Sequence, residues 1–257
     1  MIDTSYAIAG ALTGFVVGLT GVGGGALMTP ILLLFFGVSP TTAIATDLWF
    51  AAITKMVGAR VHHTTGNVDW QVAKRLWLGS LPVASLVVVL VSWGAVTKVA
   101  WLTQVIGLVV LITAMGMLLA PWLRGIAKNR RINSPEKFKN IQPAMTVFAG
   151  AVLGLFVALT SVGAGALGSV MLLYLYPLRM TPHKLVATDL VHAIPLAVVA
   201  GTGYLLAGMV DWQMLLSLLV GSIPAVWLGS KLSARMSGRW LQVALALVLF
   251  IAGLKVL

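Results

Sequence analysis

The chain has 257 residues, of which 60% are hydrophobic and only 9% are charged. Ordinary soluble domains carry about 25% charged residues, and a soluble chain of this length has no interior large enough for so much apolar surface. Lipid removes that limit, because the outer faces of helices can then remain apolar. The composition therefore indicates an integral membrane protein.

The net charge is +11, and the basic residues lie between apolar segments, as topology signals do. Nucleic-acid binding is not expected, because aromatic and basic residues are not interleaved. There are no cysteines, which excludes disulfides and thiol chemistry. His62 and His63 with Asp69 lack the spacing of a zinc site, so we expect neither a metal nor another cofactor. The first residues lack a basic n-region, and no cleaved signal peptide is expected.

Ten apolar segments follow one another along the chain and predict an all-α fold. A membrane-spanning helix needs about 20 residues, so the first two segments of each set of five are short, and glycines separate them. The first set covers residues 6–20, 26–36, 40–60, 72–93 and 99–122, and the second covers residues 143–160, 166–176, 182–207, 212–232 and 240–257.

A polar and basic stretch at residues 124–142 separates the two sets. We expect it to be an exposed loop on the cytoplasmic side. This divides the chain into a first membrane repeat (residues 1–123), a basic cytoplasmic linker (124–142) and a second membrane repeat (143–257). Ser39-Pro40 and Thr181-Pro182 each place an N-cap residue before a proline, and so predict helix starts.

The two sets are copies of each other, because four motifs recur in the same order. Such ordered recurrence at a nearly constant offset indicates an internal duplication. The sequence TGVGGGAL (20–27) recurs as TSVGAGAL (160–167), ATDL (45–48) as ATDL (187–190), DWQ (69–71) as DWQ (211–213), and GSLP (79–82) as GSIP (221–224).

The distribution of charge predicts that the copies have opposite orientations in the membrane. With residues 124–142 in the cytoplasm, inverted copies place 14 of the 17 Lys and Arg residues inside and 2 outside, with Lys55 within a helix. Parallel copies would place 10 inside and 6 outside, which satisfies the positive-inside rule less well. The short segments are either full crossings or re-entrant hairpins, since both preserve the inversion.

A duplicated chain of this length, with a glycine motif at residues 21–25 and ATDL in the next helix, resembles the TauE/SafE sulfite exporter family. The resemblance covers essentially the whole chain. It implies export of sulfite, a sulfonate or a related small organic anion across a bacterial inner membrane, with both termini in the periplasm. The second copy departs from the pattern at Ser161 and Ala164, where the first copy has glycines, so a site lined by both copies is expected to be asymmetric.

The glycine motifs predict helix breaks that bind the anion. The amides and the dipole at the start of a helix favour negative charge, and discontinuous helices in inverted-repeat transporters place the substrate near the midplane of the membrane. The alternative is that the glycines permit close helix packing. The expected ligands are backbone groups of Gly23, Gly24, Gly25, Gly163, Ala164 and Gly165 and hydroxyl groups of Thr20, Thr160 and Ser161.

Among the ionisable residues of the apolar segments, Asp47, Asp189, Lys55 and His192 are the candidates for a function, because ionisable residues inside a membrane usually have one. Asp47 and Asp189 have three candidate roles: bracing the glycine turns by accepting N–H bonds, carrying a coupling proton, or binding a cation directly. Lys55, whose counterpart is Ala197, either attracts the anion or extends toward the cytoplasmic surface. His192, one turn after Asp189, is either a packed hydrogen-bonding residue or a proton relay.

These features favour a secondary transporter with a small anionic substrate. The sequence has no Walker-type phosphate loop, and neither a nucleophile–base pair nor a metal cluster that would indicate an enzyme. An anion channel and a carrier of another small carboxylate are the alternatives. Assembly into a homo-oligomer is compatible with the sequence.

Overall fold

The computed structural model describes residues 2–20, 25–61, 68–93, 102–133, 135–163, 165–233 and 238–257. Gly23, Gly24 and Ala164 of the glycine motifs lie outside the described residues, as do His62 and His63. The described residues form ten helices and no strand: α1 (Thr4–Thr20), α2 (Gly25–Phe36), α3 (Pro40–Val61), α4 (Trp70–Ser92), α5 (Leu102–Asn133), α6 (Pro135–Thr160), α7 (Ala166–Leu175), α8 (Pro182–Leu206), α9 (Trp212–Ser233) and α10 (Gly238–Val256).

Each of the ten apolar segments coincides with one helix, which confirms the all-α prediction. The expected loop at residues 124–142 is wrong: α5 continues to Asn133 and α6 begins at Pro135. The stretch is rich in Lys, Arg and other residues that favour helix, and Pro135 is at the first helical position, where proline is favoured. Its polarity indicates exposure, and Arg124 and Lys128 are indeed exposed.

Five helical stretches are long and apolar enough to cross a membrane. Bulky apolar side chains cover their outer surfaces, and the exposed fractions of Leu78 and Phe148 are 68% and 72%. Such a surface is suited to lipid contact. The α6 helix belongs to this group although its apolar segment is short, because the helix starts earlier than expected. The five stretches are Trp70–Val91, Leu102–Asn129, Lys139–Thr160, Lys184–Leu206 and Trp212–Leu232.

Short polar side chains begin several helices, as the sequence predicts. The Thr181 hydroxyl accepts a hydrogen bond from the Lys184 amide at 3.3 Å at the start of α8. Asp69 and Asp211 start α4 and α9 in the same way, and Asp211 Oδ1 accepts from the Met214 amide at 2.9 Å. Unpaired amides at helix starts are therefore satisfied locally.

Each copy packs one of its helices against a helix of the other copy at glycine residues. The α1 helix packs closely on α9, and its counterpart α6 packs in the same way on α4. A Cβ added to Gly14 would lie 2.8 Å from Ser222 Cα, and one added to the equivalent Gly154 would lie 2.8 Å from Ser80 Cα. Glycine therefore allows the two backbones to approach each other directly in both pairs.

Equivalent helices of the two copies run antiparallel where they meet. Along α3, Trp49 Nε1 donates to Gly201 O at 3.2 Å, and further on Lys55 Nζ lies 4.0 Å from Asp189 Oδ2. Residue numbers therefore rise along α3 while they fall along α8. The α5 and α10 helices show the same relationship. Inversion of one copy relative to the other predicts such an arrangement, and the inversion itself stays a prediction.

Candidate functional site

The crossing of α3 and α8 holds a cluster of polar side chains in the interior of the protein. Two other parts of the structure reach it, because α2 contributes a threonine and the α6–α7 connection contributes a serine. Every member is at most 3% exposed. The cluster, here called the central polar cluster, comprises Thr29, Asp47, Lys55, Ser161, Asp189 and His192.

The second helix break lies between Thr160, the last residue of α6, and Ala166, the first of α7. Gly163 and Gly165 have φ values of 118° and 111°, a region that side chains other than glycine rarely adopt. Ser161 also has a positive φ of 58°. Because Ser161 is 3% exposed, this break lies inside the protein and not against lipid.

The threonines at the ends of α1 and α6 bond to the backbone of their own helices through their hydroxyl groups. The Thr160 hydroxyl donates to Phe156 O at 2.6 Å and accepts from the Val162 amide at 3.1 Å. The Thr20 hydroxyl donates to Val16 O at 2.8 Å. Both hydroxyls therefore donate to a carbonyl of their own helix, and their part in substrate binding stays a prediction. The Ser161 hydroxyl, in contrast, has no hydrogen-bond partner among the described residues and faces the Asp47 carboxylate.

Asp47 is bound to the first turns of α2. Its Oδ2 atom accepts hydrogen bonds from the Thr29 amide at 3.1 Å and from the Thr29 hydroxyl at 2.5 Å. A carboxylate beside a helix N-terminus satisfies an amide and interacts favourably with the helix dipole. Both bonds come from Thr29 within α2, so the expected bracing of the glycine turn by Asp47 stays a prediction.

Asp189 takes the equivalent position in the second copy but has fewer bonds. Its Oδ1 atom lies so close to Gly168 that an added Cβ would be 2.8 Å away, and the Gly165 amide is also adjacent. Neither carboxylate oxygen makes a hydrogen bond within the described part of the chain. The two repeated aspartates therefore share a location at the start of a short helix but differ in how they are satisfied.

Lys55 lies in the interior, and its ammonium group does not reach the surface. Its exposed fraction is 1%, and Nζ lies 4.0 Å from Asp189 Oδ2 in the opposite copy. The interpretation that this side chain extends to the cytoplasmic surface is therefore wrong. A small cavity with room for about one water molecule adjoins Lys55 and is also lined by Thr54 and Ser230.

His192 faces α4 at the edge of the cluster. Its Nε2 atom lies 3.0 Å from Ser80 Oγ, and its carbonyl oxygen accepts from Trp77 Nε1 at 3.2 Å. These contacts join α8 to α4 and describe a packed hydrogen-bonding histidine. The buried Lys55 ammonium is also near enough to interact with its ring electrostatically.

A second polar cluster was not identified from the sequence. Arg179 Nε lies 2.5 Å from Asp69 Oδ2, and Lys184 Nζ lies 3.4 Å from the same oxygen. The Asp69 amide also donates to Thr188 Oγ1 at 3.0 Å. Thr188 belongs to the repeated ATDL motif. The recurrence of this polar residue in both copies was the signal by which the sequence could have indicated the cluster.

Several helices of this protein are suited to cross a membrane, and its two equivalent sets of helices surround a buried polar cluster. The protein is therefore a polytopic membrane protein. The sequence matches the family described as "Sulfite exporter TauE/SafE" over residues 6–256. The chain belongs to the TauE/SafE family.

Curated relatives agree with this assignment. The chain is 36% identical to the probable membrane transporter protein YjnA of Bacillus subtilis (strain 168), over 99% of this chain and 100% of that protein. It is 30% identical to the probable membrane transporter protein YdhB of the same organism, over 96% of each chain. No solved structure matches the chain. The family and these relatives support a membrane transporter.

Proposed function

We propose that the protein is a secondary transporter that moves a small anion, such as sulfite, a sulfonate or a related organic acid, out of the cell. The observation that carries this proposal is the burial of Lys55 where the two antiparallel copies cross. A charged side chain inside a membrane protein is costly and usually serves function. Its position at the interface of the copies, 4.0 Å from Asp189, makes it the central positive charge of the site.

The starts of the two short helices add to the attraction for an anion. The α2 and α7 helices begin at Gly25 and Ala166, and Asp47 and Asp189 lie beside these starts. Amides at a helix start bind anions. Electrostatic interactions are also stronger in a buried site than in water. The substrate therefore binds between the ammonium group of Lys55 and backbone amides of the glycine motifs.

Alternating access explains how a site this enclosed exchanges its substrate with both sides. In inverted-repeat transporters one part rocks against the other around a fixed central site. The space beside Lys55 holds about one water molecule, so an anion with several heavy atoms requires such a movement. The positive-inside rule places residues 124–142 in the cytoplasm and both termini in the periplasm.

Counterflow in proteoliposomes tests this proposal. Vesicles preloaded with unlabelled sulfite or methanesulfonate should transiently accumulate the labelled anion above equilibrium. Lys55→Ala should reduce this accumulation at least tenfold, whereas the exposed Lys74→Ala variant should retain it. Flux without counterflow would instead identify a channel, and absence of flux with every sulfonate, sulfite and carboxylate tested would reject the anion carrier.

A further inference from the structure

The central polar cluster contains two carboxylates but one ammonium group. Asp47, Asp189 and Lys55 are each at most 1% exposed. The other titratable side chain of the cluster, His192, hydrogen-bonds Ser80, and a charge on its ring would be repelled by Lys55. The α7 helix, which packs on α8, carries no charged residue. An unpaired charge in such an environment is strongly unfavourable, so the cluster favours the uptake of one proton.

The hydrogen bonds distinguish the two carboxylates. Asp47 accepts two bonds from Thr29, which stabilise its ionised form. Asp189 has two buried oxygens without hydrogen-bond partners among the described residues, and its contact with Lys55 is 4.0 Å long. Asp189 is therefore the carboxylate that loses least when it becomes neutral, while Asp47 remains the structural brace.

Lys55 is the group for which an incoming anion must compete. When Asp189 is ionised, its carboxylate is already the partner of the ammonium group. When Asp189 is protonated, that ammonium becomes available to another anion in the adjoining cavity. The sequence has Ala197 at the equivalent position of the other copy, so this exchange of partners is possible only once in the molecule.

From this arrangement we infer that Asp189 is a proton-binding site that controls anion binding at Lys55. A proton from solvent adds to the Asp189 carboxylate, the ion pair with Lys55 separates, and the substrate anion takes its place. Loss of that proton restores the ion pair and expels the anion. Binding of one anion is therefore coupled to binding of one proton. The inference rests on the proposed function, whose substrate site it specifies.

Binding of methanesulfonate to the purified protein tests the inference, because this anion stays ionised across the pH range used. In the wild-type protein the affinity should fall as pH rises, approaching tenfold per pH unit once Asp189 is ionised. Asp189→Asn keeps Lys55 available at every pH. Its affinity at the alkaline end should exceed that of the wild type at least tenfold, and the dependence on pH should disappear.

The equivalent variant Asp47→Asn is the matched control: it keeps the Asp189 carboxylate but removes the second negative charge of the cluster, so the pH dependence should remain and move to lower pH. Weaker binding in Asp189→Asn, or an unchanged pH dependence, would overturn the inference. Loss of the dependence in His192→Gln, with its retention in Asp189→Asn, would assign the proton to His192 instead.

A measurement on the wild-type protein alone covers the case in which Asp189→Asn does not fold. At a pH where the affinity is falling, binding of methanesulfonate in weak buffer should take up close to one proton per anion, read with a pH indicator. Anion binding without proton uptake would overturn the inference and leave the proposed function intact. Absence of anion binding at every pH would reject the proposed function and the inference together.

Discussion

Arg179 binds Asp69 through both carboxylate oxygens, since its Nε lies 2.5 Å from Oδ2 and its Nη2 lies 2.8 Å from Oδ1. This ion pair joins the connection before α8 to the start of α4, and so joins the second copy to the first. The corresponding connection of the first copy, residues 37–39, contains neither Arg nor Lys. The pair is therefore an asymmetric link between otherwise equivalent ends of the molecule.

Asp69→Asn should destabilise the protein by about 1–3 kcal/mol, between the values for surface and fully buried ion pairs. The carboxylate is 2% exposed and holds two cations, Arg179 and Lys184, which are 44% and 33% exposed. Thermal denaturation in detergent measures the change. Asp211→Asn is the control, because asparagine also caps a helix and Asp211 forms no comparable ion pair with a described residue. Equal melting temperatures for the two variants would contradict a stabilising role of the link.

Glycines allow close contact between α1 and α9, and between α6 and α4. Replacing these glycines with alanine should therefore destabilise the protein. Gly14→Ala and Gly154→Ala place a Cβ against the backbone of the neighbouring helix. Overpacking of this kind costs about 1–3 kcal/mol or more. Gly125→Ala is the matched control, since no atom lies within 4 Å of its added Cβ. It should be neutral or slightly stabilising, because alanine favours helix.

Thermal denaturation in detergent compares the three glycine variants. A melting temperature of Gly154→Ala at or above that of Gly125→Ala would show that the two backbones can separate without cost. The sequence analysis considered close helix packing for the glycines of the two motifs. The same experiment tests whether glycines outside these motifs also permit it.

The sequence was sufficient for the helices because hydrophobic segments and capping residues are local signals. It was not sufficient to distinguish the two repeated aspartates, since Asp47 and Asp189 stand in identical ATDL motifs. The difference comes from partners distant along the chain, with Thr29 beside Asp47 and Lys55 beside Asp189. The packing glycines Gly10, Gly14 and Gly18 recur every four residues in the sequence, but the sequence does not show that another helix packs against them.

The second helix break gives a prediction that separates local strain from transport. Gly165 has a φ of 111° at the start of α7, and Gly208 has a φ of 68° at the turn after α8. Alanine at either position is strained, by roughly 1–3 kcal/mol. Gly165→Ala should reduce anion counterflow at least tenfold, because the amide beside Asp189 is displaced. Gly208→Ala should destabilise the protein while retaining transport per folded molecule.

Flux in this comparison is normalised to the amount of folded protein, measured by size-exclusion chromatography. Equal specific transport by Gly165→Ala and Gly208→Ala would show that the break is a structural turn with no part in anion binding.

The bond between Thr29 and Asp47 gives a test of the bracing role that needs no substrate. Thr29→Val keeps the shape of the side chain and removes the hydroxyl that lies 2.5 Å from Asp47 Oδ2. Hydrogen bonds to charged groups contribute about 1.5–3 kcal/mol, although bonds between membrane helices average nearer about 0.6 kcal/mol. We expect a loss of about 1–2 kcal/mol. Ser169→Ala, the equivalent position, should have a smaller effect, because Asp189 accepts no hydrogen bond from a described residue. Equal losses would mean that both aspartates brace their helices alike, and the distinction between a structural Asp47 and a titrating Asp189 would then lose its basis.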